Sequence, residues 1–269
     1  MSSSLDGLFW SVTNLKTLIP ATILMAAFAV LLRKLIGAKS DRVKNIPFQV
    51  MAVALVVLEA VKQWRDLSQG AYSLWSIPLH FSSVYLFLFP LTHFSRGAFA
   101  MAMRPATAVA AGMTTIGMLL FPMTVFGDAA GGYFKDFGSF HTVTYHYAII
   151  LYFFLFIALG MHEPDTRKDA VATWRLVTVY ALVAAPVANA IGVNFMSFLF
   201  SSFPPLEAAR VILRDALGIV PGQLIYVGIM YLGMLGSATL STILYRGLNR
   251  LVRRIPPGSV AVRGARVVA

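Results

Sequence analysis

Apolar residues dominate seven stretches of this chain, at about 17–36, 46–64, 75–95, 103–126, 139–160, 174–199 and 219–245, with short polar stretches between them. Each is close to the roughly 20 apolar residues that a helix needs to cross a hydrocarbon core about 30 Å thick. None shows the alternation of period two that marks the strands of a membrane barrel. Backbone polar groups in lipid have no water to bind, so these stretches must satisfy them within helices. The pattern predicts an all-α polytopic membrane protein, one bundle of seven transmembrane helices over residues 17–245. An N-terminal segment at 1–16 precedes the bundle and a basic tail at 246–269 follows it.

The connecting stretches fit this map. Residues 127–138 are rich in glycine and carry aromatic residues suited to a membrane interface, and residues 161–170 form a charged loop. Between Ser201 and Gly218, Pro204 and Pro205 precede Leu206, Ala209, Val211, Ile212 and Leu213 at helical spacing. Proline suits a first helical turn, so a short amphipathic helix is expected to lie along the surface here. Residues Pro256–Ala269 read as a short flexible end.

Composition agrees with a membrane class, since 58% of residues are apolar and 12% are charged, about half the charged fraction of an ordinary soluble domain. The first stretch is preceded by Lys16 and followed by Arg33, Lys34 and Lys39. A signal peptide carries its positive charge ahead of the apolar run, so this stretch is expected to remain as a helix. With no cysteine, neither a disulfide framework nor a thiolate metal site is available.

The net charge of +11 invites a nucleic-acid reading until its distribution is considered. Sixteen of the 22 basic residues fall in one set of loops and the C-terminal tail, and six in the opposite set. The positive-inside rule then predicts an external N-terminus and a cytoplasmic C-terminus. The basic run Arg246–Arg254 is expected at anionic lipid headgroups rather than on nucleic acid.

That orientation gathers the polar exceptions. Glu59 ends the second helix, His80, Ser82 and Ser83 start the third, His141, Tyr145 and His146 start the fifth, and Asn189 and Asn194 end the sixth. Four helices thus carry polar groups at one depth in the outer leaflet, where ionisable groups normally face a bundle interior or a wet cavity. Each has a structural alternative as well. Glu59 precedes Lys62 and Gln63 by three and four residues, a spacing that pairs on a helix. Serine and asparagine side chains also serve as hydrogen-bonded glue between helices. On one helical face His80 pairs with Ser83 rather than Ser82. His93 and His162 fall at cytoplasmic ends and are expected to be solvated.

Several strings resemble the bacterial YwaF family of integral membrane proteins. Trp75-Ser76-Ile77-Pro78-Leu79-His80-Phe81-Ser82 is similar to its leucine-proline-leucine-histidine-x-cysteine signature, and Tyr145-His146-Tyr147 to its helical histidine. Ile191-Gly192-Val193-Asn194-Phe195-Met196 resembles its glycine-x-asparagine-tyrosine-methionine stretch. Glu59 before Trp64, and Pro122, match in type and order. The resemblance implies a location in the cell membrane, the plasma membrane of a bacterium. The family's eukaryotic relative is a membrane acyltransferase acting on ether phospholipids through a cysteine and a histidine. By motif, Ser82 stands where that cysteine stands, and His146 where the histidine does.

The resemblance therefore implies lipid acyl transfer or acyl hydrolysis, with Ser82 as nucleophile and His146 as base; the helical spacing offers Ser83 with His80 as a rival catalytic pair. Glu59, His141, Tyr145, Asn189 and Asn194 are expected to bind substrate or orient the imidazole. A second function class is a non-enzymatic membrane protein that binds lipid or a small molecule, or a subunit of an assembly with an unidentified membrane partner. The absence of a glycine-flanked nucleophile elbow favours it. Proton-coupled transport is a third class, although the cytoplasmic half offers few polar residues to continue a path, chiefly Ser237, Thr239, Ser241 and Thr242. No cofactor is expected, and no ligand spacing supports a metal site built from His80, His146 and Glu59.

Overall fold

The computed structural model describes residues 10–258, which form ten α-helices, two short 3-10 turns and no strand. The helices are α1 (Val12–Ile36), α2 (Asp41–Ser68), α3 (Tyr85–Phe94), α4 (Gly97–Leu120), α5 (Pro122–Phe126), α6 (Ala129–Gly132), α7 (Phe137–Ala158), α8 (Thr166–Ile191), α9 (Pro204–Leu217) and α10 (Ile219–Arg253). Among the described residues, α1, α2, α7, α8 and α10 are long and apolar enough to cross a membrane. The N-terminal segment up to residue 9 and the end of the tail from 259, with Arg263 and Arg266, lie outside the described residues.

α4 is the hub. It packs against α3, α7, α8 and α10, while α1 and α2 lie against α7. Residues 105–113 are all buried, and most of them are small: Ala106, Ala108, Ala110, Ala111 and Gly112. Small side chains let helix backbones approach closely where lipid supplies no hydrophobic drive. At Gly112 an added Cβ would lie 2.5 Å from Ser241 Oγ and 2.7 Å from a Phe153 ring carbon, so α7 and α10 both close onto this point.

Three boundaries differ from the apolar pattern, each for a local backbone reason. In the expected helix at 75–95, regular α-helix begins only at Tyr85, after 3-10 turns at Leu74–Ser76 and Phe81–Val84. Pro78 lacks an N–H and forces Ile77 into an extended conformation (φ −60°, ψ 128°). The expected 103–126 helix breaks at Phe121, the residue before Pro122, with φ −131° and ψ 56°. The expected 174–199 helix stops at Ile191, capped by Gly192 in the left-handed region (φ 72°). The basic tail begins as a continuation of α10, which stays helical to Arg253.

The amphipathic helix is present as α9, with Pro204 and Pro205 in its first turn. It packs on α10 while Val211, Ile212 and Leu217 stay exposed. An added Cβ at Gly222 of α10 would lie 2.5 Å from the Leu213 carbonyl oxygen and 2.6 Å from Arg214 Cα. The close crossing of α9 over α10 therefore depends on glycine there.

Candidate functional site

Glu59 is buried in the later part of α2, where an unpaired carboxylate would be costly. Its Oε2 accepts a hydrogen bond from His141 Nε2 at 2.9 Å. Its Oε1 accepts from the Gln63 amide at 2.6 Å and from Lys62 Nζ at 3.3 Å. Local helix-end pairing and cross-helix contact, the two alternatives for Glu59, thus occur together. The Gln63 amide also donates to the Ser76 carbonyl at 2.7 Å, and Ser76 Oγ donates to Asp66 at 3.2 Å. One carboxylate joins α2 to α7 and anchors the loop that leads to His80.

The loop after Ser76 is held from three sides. The Tyr180 hydroxyl of α8 donates to the Leu79 carbonyl at 2.8 Å, and the Tyr145 hydroxyl of α7 donates to the Ser82 carbonyl at 3.3 Å. His80 sits between the rings of Trp75 and Phe195, with centroids 4.4 and 5.1 Å away. It precedes the 3-10 turn and has extended backbone (φ −65°, ψ 147°). His80 and Ser83 do not share a face of an α-helix, because α3 starts only after both residues; the bond that joins them is Ser83 N–H to the His80 carbonyl at 2.8 Å.

His146 lies one residue beyond Tyr145 on α7, half-buried, with its ring edge-on to Phe126 and Tyr145. Its Nδ1 is 2.7 Å from the Thr142 carbonyl, an acceptor only, so Nδ1 carries the proton and donates. Nε2 is then the basic nitrogen, and no hydrogen bond occupies it among the described residues. No hydrogen bond joins Ser82 Oγ to His146 among the described residues.

Asn189 and Asn194 hold the segment that follows α8. Asn189 donates to the carbonyls of Ala185 and Phe198 at 2.8 and 3.2 Å. Asn194 donates to the Phe200 carbonyl at 3.0 Å and accepts from the Leu199 and Phe200 amides at 3.1 and 3.3 Å. Met196 and Ser197 have positive φ (51° and 61°), a conformation that costs a non-glycine residue energy unless its surroundings fix it. Tyr226 binds the Ser197 carbonyl at 2.7 Å, and Gln223 binds those of Phe198 and Leu199 at 3.0 Å each. The segment is fixed from both ends, which seats Phe195 against His80.

His93 is the main departure from the sequence reading, which expected it to be solvated. It is 3% exposed and stacks on Phe48 of α2 at 4.7 Å. Nδ1 lies 2.6 Å from Asn45 Oδ1, and Nε2 lies 2.7 Å from the Tyr152 hydroxyl. The Asn45 oxygen only accepts, so Nδ1–H donates to it and the tyrosine donates to Nε2. The amides of Asn45 and Gln49 both donate to the His93 carbonyl at 2.9 Å. Asn45 and Gln49, four residues apart on one face of α2, were the available signal. His162, also expected to be solvated, is half-buried and pairs with buried Asp169 at 2.8 Å.

The α10 hydroxyls considered as a path through the membrane are engaged with backbone. Ser237, Thr239 and Thr242 donate to carbonyls four residues back in their own helix, and Ser241 donates to the Val109 carbonyl at 2.8 Å. Among known proteins, the model of the TMEM164 family matches residues 9–235 of this chain. No curated protein and no solved structure matches it.

Proposed function

The chain belongs to the TMEM164 family, and on that premise we propose that the region between Glu59 and His146 is a lipid site that transfers or hydrolyses an acyl group. The observation that carries this reading is the state of His146. Its Nδ1 proton is committed to the Thr142 carbonyl at 2.7 Å, which leaves Nε2 as an unoccupied base in a half-buried setting. A positioned neutral imidazole is suited to general-base work, and the motif that resembles the YwaF family points to the same residue. Tyr145 ties the backbone of Ser82 to the residue beside this base.

In this reading Ser82 Oγ attacks the carbonyl carbon of a lipid ester while its proton passes to His146 Nε2. The ester C–O bond breaks, and His146 returns the proton to the departing alkoxide. A lipid alcohol or water then loses its proton to His146 and attacks the acyl carbon; the bond to Ser82 Oγ breaks, and His146 returns the proton to that oxygen. The pair Glu59–His141 holds α2 against α7, and Asn189 and Asn194 fix the segment that seats Phe195 against His80. The surrounding bundle has its N-terminus outside and its C-terminus in the cytoplasm, with α3 and α4 as two crossings besides the five long helices. The apolar segment Phe81–Phe94, a 3-10 turn followed by α3, covers about 23 Å, and the extended residues before it supply the remaining depth.

A non-enzymatic binding role is the second reading. It is favoured by Glu59, whose two oxygens are fully engaged by His141, Gln63 and Lys62. Purified protein in nanodiscs of phospholipid bearing a labelled acyl chain separates the two. Acyl transfer predicts release or movement of label that is lost in both Ser82→Ala and His146→Ala, with folding retained. Label bound but never transferred favours the binding role. Turnover that survives Ser82→Ala removes Ser82 as nucleophile, and loss confined to Ser83→Ala assigns that role to its neighbour.

A further inference from the structure

The end of the bundle away from Glu59 carries a cavity of about 610 Å³, where the loop after α7 meets the first turns of α4 and α8 and the last turns of α10. His162 is fixed at its edge. Its Nε2–H donates to Asp169 Oδ1 at 2.8 Å, and the other oxygen of that 1%-exposed carboxylate accepts the Asp165 N–H at 3.0 Å. The ring lies parallel to Tyr245 at 6.4 Å, and the Tyr245 hydroxyl donates to the His162 carbonyl at 3.1 Å. With Nε2 carrying the proton, Nδ1 is an acceptor, and no hydrogen bond occupies it among the described residues.

The acidic groups around the cavity each have a partner: Glu163 pairs with Arg253 at 3.0 Å, Asp165 with Lys168 at 3.3 Å and Asp169 with His162. Arg246 is different. Its guanidinium bonds the Thr166 hydroxyl at 2.9 Å and meets no carboxylate among the described residues. The cavity therefore offers one uncompensated cation and one fixed imidazole acceptor. Met101 and Pro105 of α4 give it an apolar wall.

A second depression, of about 390 Å³, lies along the same pair of helices, lined by Val171, Trp174, Arg175, Thr178 and Val179 of α8 and by Tyr231 and Leu235 of α10. Lys168, Val171, Arg175 and Val179 follow one another at spacings of three, four and four, which is one face of a helix. Leu235 and Arg246 are eleven residues apart, about three turns, and so share a face of α10. The cavity and the mainly apolar groove thus lie on one seam, and from Lys168 to Val179 the seam runs about 16 Å.

We propose that this seam binds a single membrane lipid whose headgroup is a phosphate bearing a hydroxylated substituent. The phosphate sits on Arg246, where a charge-assisted hydrogen bond is available. A hydroxyl of the substituent donates to His162 Nδ1. One acyl chain follows the groove between α8 and α10. The site is separate from the acyl-transfer reading and stands or falls without it.

Native mass spectrometry of the purified full-length protein tests this, using phosphatidylglycerol, phosphatidic acid and phosphatidylcholine with identical chains, and soluble glycerol 3-phosphate. Phosphatidylglycerol is expected to bind in preference to the other two lipids. Arg246→Ala, at an exposed position, should weaken it about tenfold, the scale of one hydrogen bond to a charged group. Val179→Trp should fill the groove and weaken every lipid while the circular dichroism stays helical. Equal retention of phosphatidylglycerol and phosphatidylcholine, or an unchanged preference in Arg246→Ala, overturns the site. Phosphatidic acid bound as tightly as phosphatidylglycerol removes the hydroxyl contact. Glycerol 3-phosphate bound as tightly as phosphatidylglycerol, with Val179→Trp silent, makes the occupant a soluble phosphate and overturns the lipid.

Discussion

Replacing His93 by phenylalanine isolates what its ring contributes. Phenylalanine keeps a flat ring against Phe48, stacked at 4.7 Å, and the bonds from Asn45 and Gln49 to the residue 93 carbonyl involve backbone that the change leaves alone. Two hydrogen bonds are lost, those of Nδ1 with Asn45 and of Nε2 with Tyr152. A polar group left buried without a partner costs about 1–3 kcal/mol, whereas side-chain bonds between membrane helices average only about 0.6 kcal/mol because the unfolded state in the membrane also finds partners. His93 is 3% exposed and the Tyr152 hydroxyl is enclosed with it, so the higher scale governs and His93→Phe should cost about 2 kcal/mol in total. Adding Tyr152→Phe removes the stranded hydroxyl, and the double variant should recover about 1 kcal/mol over His93→Phe. Tryptophan-fluorescence melting in detergent at one fixed scan rate reads the ranking, since membrane proteins often unfold irreversibly. If Tyr152→Phe costs as much in the His93→Phe background as in the natural chain, the two groups are uncoupled and the network is refuted.

Three further outcomes are expected. Gly222→Ala forces a Cβ to within 2.5 Å of the Leu213 carbonyl; α9 must shift, at a cost of about 1–3 kcal/mol, and trypsin should cut faster at Arg210 and Arg214, whereas unchanged cleavage refutes the close crossing. Arg210, bonded to Glu207, holds that carboxyl below its ordinary value, so its contribution is present at neutral pH and is lost as pH falls below about 4.3 and through the folded value. Hydrogen exchange over residues 198–217 should rise there by a modest amount because the pair is partly exposed, and Glu207→Gln should show the rise already at pH 7; equal protection at both pH values refutes it. Reporter fusions inside the 127–138 loop and after Arg254 should report opposite sides of the membrane, and the same side for both would mean that the number of crossings between them is even.

Helix existence was legible because apolar length and proline punctuation are local properties. The positions of α1, α2, α7, α8 and α10 follow from runs of apolar residues, and α9 from Pro204 and Pro205 ahead of a spaced apolar set. The break at Pro78 was misread because Trp75, Ile77, Leu79 and Phe81 look apolar enough to continue a helix, and hydropathy does not register a missing N–H. The polar residues at the end of α2 and the start of α7 were legible one by one against the apolar runs. Their pairing was not, because His141 reaches Glu59 across 82 residues of sequence and nothing local distinguishes it from His146. His93 was missed because a position near a helix end suggests solvent, whereas Asn45, Phe48 and Tyr152 from two other helices enclose it.

The non-helical stretch between α2 and α3 also bears on how the chain is made. Its carbonyls at Ser76, Leu79 and Ser82 are bound by side chains of α2, α7 and α8. Gln63 is already synthesised when the stretch emerges, but Tyr180 follows Leu79 by 101 residues. At about 5–20 residues per second, the ribosome supplies that hydroxyl roughly 5–20 seconds later. During that interval the Leu79 carbonyl must find water, a translocon surface or a chaperone. The region around His80 and Ser82 is therefore completed only after most of the bundle has been inserted, and a nascent chain arrested before α8 should expose it to proteases that the finished protein excludes.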